Sequence, residues 1–146
     1  MPDKFFLDSN VLVYALDASE PGKQVVAQGL TEKALATGQG IISFQVVQEC
    51  LNVVAAKWRK PLEMRHVKAF KDDVLLPLCE YFPSPDFYSR ALELFYAKNF
   101  SFFDSLILQA AVDSGCDILY SEDLQDGFQF NQVKVVNPFA GVPAKG

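Results

Sequence analysis

Short apolar runs alternate along the chain with longer stretches in which apolar residues return every third or fourth position. Lys4-Phe5-Phe6-Leu7 is such a run, stopping at Asp8, and it predicts a buried strand. From Pro21 to Thr37 the residues Val26, Leu30 and Ala34 recur every four positions, and Gly38 and Gly40 stop the predicted helix. Ile41-Ile42-Ser43-Phe44 predicts the next strand. A helix should then cover Gln45 to Trp58, ended by Pro61, and another Leu62 to Leu76, with Val67, Phe70 and Val74 inward and Arg65 and Lys68 outward. Ser84-Pro85 places an N-cap before a first-turn proline. Behind it Tyr88, Ala91, Leu92, Phe95 and Tyr96 form the strongest helical stripe in the chain. Ser101 opens a helix that runs to Gly115. Asp117-Ile118-Leu119-Tyr120 and Val133-Lys134-Val135-Val136 predict two more strands, the second ended by Asn137-Pro138.

Strands that alternate with helices of this length predict an α/β fold: three layers, α/β/α, around a mainly parallel central sheet. No internal repeat, low-complexity segment or long linker interrupts the pattern, so residues 1–146 are expected to form a single domain. In sheets of this kind the active site lies outside the carboxyl ends of the strands, which directs attention to the residues that follow them.

Composition removes several function classes. Half of the 146 residues are apolar and 21% are charged, the balance of a packed globule. No apolar run approaches the roughly 18–20 residues of a membrane helix. The start, Met1-Pro2-Asp3-Lys4, lacks the pattern of an export signal, so the expected location is the cytoplasm. Cys50, Cys79 and Cys116 are odd in number, far apart and set in apolar stretches. They read as small buried hydrophobes and not as disulfides or thiolate ligands. His66 is the one histidine, and it sits among basic residues, so catalysis built on several histidines has little material. The net charge of −5 opposes sequence-blind binding to nucleic acid. Its distribution softens the objection, because Lys57, Arg59, Lys60, Arg65, Lys68 and Lys71 crowd one segment opposed only by Glu63. That segment is either a solvated helix face or a phosphate-steering patch.

The informative residues are acids. Asp8 closes the first strand and Asp123 follows the strand that ends near Tyr120; alone, either could be a turn former. Glu49 shares a helical side with Val46, Val53 and Ala56, where an ionised group needs compensation by a cation, a proton or a hydrogen bond. Asp104 completes a capping box with Ser101, yet it also aligns with Ile107, Leu108 and Ala111 on the inward stripe of its helix. No lysine or arginine accompanies these acids in any of the four segments. Like charges about 4 Å apart repel by roughly 1 kcal/mol in water and roughly 4 kcal/mol at an effective dielectric near 20. Four acids gathered in one cleft would therefore be protonated or metal-bound, and hard oxygen ligands suit Mg²⁺ or Mn²⁺. Convergence should then show as a raised proton affinity in at least one of them.

The segments Leu7-Asp8-Ser9-Asn10-Val11-Leu12-Val13-Tyr14-Ala15, Gln48-Glu49, Ser101-Phe102-Phe103-Asp104-Ser105-Leu106-Ile107 and Ser121-Glu122-Asp123-Leu124 resemble, in order and spacing, the successive motifs of PIN-domain ribonucleases. The resemblance runs from about Lys4 to Phe139 and is closest to the VapC-type toxins of bacterial toxin–antitoxin pairs. It implies a PIN-like, Rossmann-like fold and an endoribonuclease that cuts single-stranded or looped RNA with Mg²⁺ or Mn²⁺. Asp8, Glu49, Asp104 and Asp123 would form the acidic metal site, with Asn10 and Ser121 as polar residues at its edge. Glu122 and Asp126 compete with Asp123 for the last place, which Asp123 takes on its hydroxyl-x-Asp spacing from Ser121. Lys57, Arg59 and Lys60 would be the first RNA-backbone contacts, a small antitoxin the regulator, and a homodimer the assembly. Two rivals remain. An aspartate-nucleophile phosphatase would use Asp8 but commonly has a second aspartate where this chain has Asn10. A catalytically silent module would keep the fold to bind RNA or protein.

Overall fold

The computed structural model of the chain describes residues 3–143. Its centre is β1 (Phe5–Leu7), three residues that are all buried because neighbours cover both faces of the strand. Asp8 then caps the short α1 (Ser9–Tyr14). α2 (Pro21–Thr37) ends at Gly38, whose φ of 70° is left-handed and suits glycine. β2 (Gly40–Ser43) leads directly into α3 (Phe44–Asn52), which widens into a π-helical turn at Val53–Lys57. α4 (Met64–Phe70), a second π-helical turn at Lys71–Leu75 and the single turn α5 (Leu76–Leu78) lead to β3 (Cys79–Tyr81). α6 (Pro85–Ala97) and α7 (Phe102–Asp113) pack on each other, followed by β4 (Ile118–Tyr120) and the hairpin of β5 (Gln129–Phe130) and β6 (Val133–Val136).

The sheet order is β3-β2-β1-β4-β6-β5. All neighbours are parallel except β5 and β6, so this is the α/β architecture with a mostly parallel sheet and flanking helices that the alternating pattern predicts. From β1 the chain builds outward through β2 to β3, then crosses back to lay β4 on the other side of β1. The strand order reverses there, and the carboxyl ends of β1 and β4 lie side by side, with Leu7 opposite Tyr120. Such a switch point leaves a crevice that helices do not fill. Among the described residues, no helix is long and apolar enough to cross a membrane.

Several elements differ from expectation. β3 and β5 are short edge strands of three and two residues, without an apolar run to announce them. Phe44 begins a helix and does not end a strand, because the Ser43 hydroxyl accepts the Val46 amide and caps α3. On α2 the fully buried face is Ala27, Thr31 and Ala34, while Val26 and Leu30 are only half-buried. The stripe on α6 turns outward. Phe87, Ala91 and Leu94 are buried, whereas Tyr88 is 43% exposed and Tyr96 83%. Ser84 caps this helix through the Phe87 amide, and the Phe87 ring packs edge-on against Tyr81, which fixes the helical phase. Cys50 and Cys116 are buried, Cys79 is half-buried, all three are free thiols, and His66 is exposed.

One close approach in this core gives a direct test. A Cβ added at Gly40 would lie 2.4 Å from the Ala34 Cβ and 2.5 Å from the Phe5 ring, whereas one at Gly29 on α2 meets nothing within 4 Å. In chemical denaturation Gly40→Ala should cost about 1–3 kcal/mol through overpacking. Gly29→Ala should stabilise by up to about 1 kcal/mol by raising helix propensity. Equal effects at the two positions would contradict the packing.

Candidate active site

The first of the acids sits at the switch point because β1 ends there. The Asp8 amide still pairs with the Tyr120 carbonyl at 3.0 Å, continuing the β1–β4 ladder one residue past the strand. Its side chain is 3% exposed. One oxygen, Oδ1, accepts the Ser9 amide at 2.7 Å, the N-cap bond of α1, and Oδ2 accepts the buried Ser121 hydroxyl at 2.7 Å. The Ser121 oxygen in turn accepts the Asp123 amide at 3.2 Å. Asn10, in the first turn of α1, completes the frame from the other side. Its amide donates to Asp123 Oδ2 at 3.0 Å, and its carbonyl oxygen accepts the Glu122 amide at 3.4 Å. Ser121 and Asn10 thus tie the β1 end to the loop after β4.

Glu49 approaches from α3 and Asp104 from α7. Glu49 is half-buried, and its Oε2 accepts the Gln45 amide at 3.3 Å across one helical turn. The same Gln45 amide donates to the Phe103 carbonyl at 3.4 Å, joining α3 to the start of α7. Asp104 is half-buried at the third helical position, where its amide donates to the Ser101 cap at 3.1 Å. It therefore serves in the cap and lies on the stripe whose next members, Ile107, Leu108 and Ala111, are buried.

The electrostatics join these positions. Burial pushes the Asp8 carboxyl up from 3.8 to about 7, against the Ser121 and Ser9 hydrogen bonds, with the charges of Glu49 and Asp123 adding to the rise. Glu49 is raised by burial and by Asp104 and Asp123, opposed by its bonds to Gln45 and Ser9. Asp104 is raised by burial and by Asp123, opposed by Ser101. Asp123 thus acts electrostatically on each of the other three, although 41, 55 and 19 residues separate successive acids in sequence. Burial and the nearby charges of Asp8 and Glu49 also raise the Cys50 thiol well above its usual range, and it donates to the Ser9 carbonyl.

The three acids after β4 have different partners. Glu122 is taken by Lys23, whose ammonium lies 2.5 Å from Oε2, and by the Tyr14 hydroxyl at 2.9 Å. Lys23 also rests over the Tyr14 ring. Asp126 accepts the Asn137 amide at 2.9 Å. Asp123 is the one whose charge acts on Asp8, Glu49 and Asp104. Sequence reasoning missed Lys23, since nothing local links α2 to a glutamate 99 positions later. Lys57, Arg59 and Lys60 lie exposed on and beyond the turn that continues α3.

Among the described residues, no three histidine, cysteine or acidic side chains are close enough together to enclose a metal ion. The donor set nevertheless suits a hard cation. All four groups are carboxylates, three have raised proton affinity, and Mg²⁺ is characteristically held by one or two carboxylates while keeping several waters. Asp8 is a poor candidate for a covalent nucleophile, being buried with both oxygens hydrogen-bonded.

Residues 5–134 match the PIN domain. The chain belongs to the PIN-domain family. Solved structures that share its fold include the two that follow. FitAcB of Neisseria gonorrhoeae is 17% identical with a TM-score of 0.62, the match covering 93% of this chain and 99% of that one. VapC20 of Mycobacterium tuberculosis, a sarcin–ricin-loop-cleaving toxin, is 16% identical with a TM-score of 0.56, covering 82% and 90%. No curated protein matches the chain.

The Asp8 environment sets a pH dependence for this PIN domain in the absence of metal. An unfolded aspartate loses its proton near 3.8 and folded Asp8 near 7, so between those values the folded state holds the extra proton. Stability should therefore fall as pH rises from about 4 to about 7, by on the order of 4 kcal/mol. Urea midpoints measured in EDTA should show this decline, and Asp8→Asn should remove most of it. Midpoints that rise across the window would contradict the burial of an uncompensated carboxylate.

Proposed function

We propose that the chain is a single nuclease domain that hydrolyses phosphodiester bonds in single-stranded or looped RNA with Mg²⁺ or Mn²⁺. What supports this reading is a set of four carboxylates remote in sequence, three of which feel the charge of Asp123, with no ion pair to any of the four among the described residues. In it Asp8, Glu49, Asp104 and Asp123 hold the metal, while Asn10 and Ser121 fix the orientation of Asp123 and Asp8. When bound, the cation would lower the pKa of water and offset charge on the leaving oxygen. The protein's part is to aim the carboxylates, to keep Glu122 engaged with Lys23, and to leave the strand ends open to a phosphate. Lys57, Arg59 and Lys60 supply backbone contacts that the acidic remainder of the surface cannot.

The solved structures of like fold support a reading of the biological setting. VapC20 is a toxin that cleaves the sarcin–ricin loop, and FitAcB shares the fold over almost its whole length. We read this chain as a toxin of the same kind, acting in the cytoplasm, working as a homodimer and restrained by a small antitoxin protein.

Incubation of the purified chain with single-stranded RNA should give cleavage that depends on Mn²⁺ or Mg²⁺ and stops with EDTA. Asp104→Asn should reduce the rate by roughly a hundredfold or more with an unchanged circular-dichroism spectrum. A wild-type chain that binds RNA or an antitoxin but never cuts would establish the silent binding module instead.

A further inference from the structure

On the far side of the helices that leave the acidic cluster, two turns face each other across a hollow of about 530 Å³ walled by Asp17, Ser19, Trp58, Arg59 and Lys60. Both walls are fixed by backbone hydrogen bonds. The Trp58 amide donates to the Val53 carbonyl at 3.0 Å and the Leu62 amide to the Val54 carbonyl at 2.9 Å, so the loop leaves and rejoins the same helix end. Opposite, the Asp17 amide donates to Tyr14 at 3.0 Å, and the Ser19 amide and hydroxyl both donate to Asp17 Oδ1.

The contents of the hollow are unusual for a protein of net charge −5. Trp58 packs partly on the core and is half-buried, leaving the rest of the indole to line the hollow. Arg59 and Lys60 are exposed, and neither forms an ion pair among the described residues, whereas Arg65 and Lys71 in the same segment pair with Glu63 and Asp72. An aromatic face beside free cations is the combination that holds single-stranded nucleic acid, the base stacking while the cations take the phosphates. The one acid present has its Oδ1 engaged by Ser19 and its Oδ2 without a partner among the described residues. A carboxylate oxygen accepts from an exocyclic base amine, as on cytosine N4, and repels the carbonyl that uracil places there.

The hollow is also connected to the acidic cluster. α1 begins after Asp8 and its chain leads to Asp17, while α3 carries Glu49 and its π-helical continuation ends just before Trp58, nine residues in each case. The two helices pack together, and the Cys50 thiol donates to the Ser9 carbonyl between them.

We propose that this hollow holds one unpaired nucleotide of the RNA, a short way along the strand from the acidic cluster. Its base lies against Trp58, its flanking phosphates meet Arg59 and Lys60, and its exocyclic amine points at Asp17. The proposal rests on the ribonuclease reading for its substrate, but binding can be read without cleavage.

Trp58 is the only tryptophan in the chain, so indole fluorescence reports on this hollow alone. Titration of the full chain in EDTA with a decamer of oligocytidylate should quench it saturably, and more tightly than a decamer of oligouridylate does. Arg59→Ala/Lys60→Ala, which changes only exposed side chains, should weaken binding about tenfold and lower the salt dependence by roughly 1.4 log units per log unit of salt. Asp17→Asn should narrow the preference for cytidylate. No quenching, unchanged affinity in the double variant, or equal quenching by a polyglutamate peptide would overturn the proposal, the last by assigning the hollow to an acidic protein partner. A chain that cuts RNA with an unresponsive Trp58 refutes the hollow alone, and a responsive Trp58 in a chain that never cuts refutes the nuclease alone.

Discussion

A buried carboxylate with no ion pair among the described residues is the constraint around which this structure is arranged. Asp8 is taken out of water by the strands that define the fold, and only an amide and a hydroxyl answer its charge. Such a group is costly in a core unless it is protonated or meets a ligand from outside. Neighbouring features follow from that cost. Ser121 is buried with it because it must be a donor, and Asn10 bridges α1 to the loop after β4. Lys23, a cation that could have quenched the field, is instead held by Glu122 and the Tyr14 ring. Among the described residues no ion pair reaches Asp8, Glu49 or Asp104, while Glu49 acts on Asp8 and Asp104 on Glu49 by charge.

What could be read from the sequence divides along physical lines. β1, β2 and β4 were visible as short, mostly apolar runs, and β6 as valines on either side of an exposed lysine. β3 and β5 were not, since an edge strand of two or three residues leaves no pattern. Asp8 stood out by ending a strand, and Glu49 and Asp104 by interrupting an inward stripe; each signal is local. The α6 stripe misled because that helix has two apolar arcs. The contact of Phe87 with Tyr81 decides between them, leaving Tyr88, Leu92 and Tyr96 outside. The different partners of Glu122, Asp123 and Asp126 were likewise hidden, because they depend on Lys23, Asn10 and Asn137, of which the first two come from the far end of the chain.

Charge is separated along the molecule as well as in its sum. Asp8 and Asp123 follow the central strands β1 and β4, and Arg59 and Lys60, without an ion pair among the described residues, lie just beyond the π-helical turn that continues α3. An acidic protein can meet a polyanion on these terms only locally: a small number of fixed cations supplies attraction, and the rest of the surface limits how long a non-specific encounter lasts.

The sheet order carries a consequence for synthesis. β1 lies at the centre of the sheet, and its second neighbour, β4, is made more than a hundred residues later. Until that neighbour has emerged from the ribosome, Asp8 has neither the Ser121 hydroxyl nor the company of Asp104 and Asp123. A nascent or prematurely terminated polypeptide that stops short of β4 therefore leaves Asp8 without its hydroxyl donor and without the charge of Asp123.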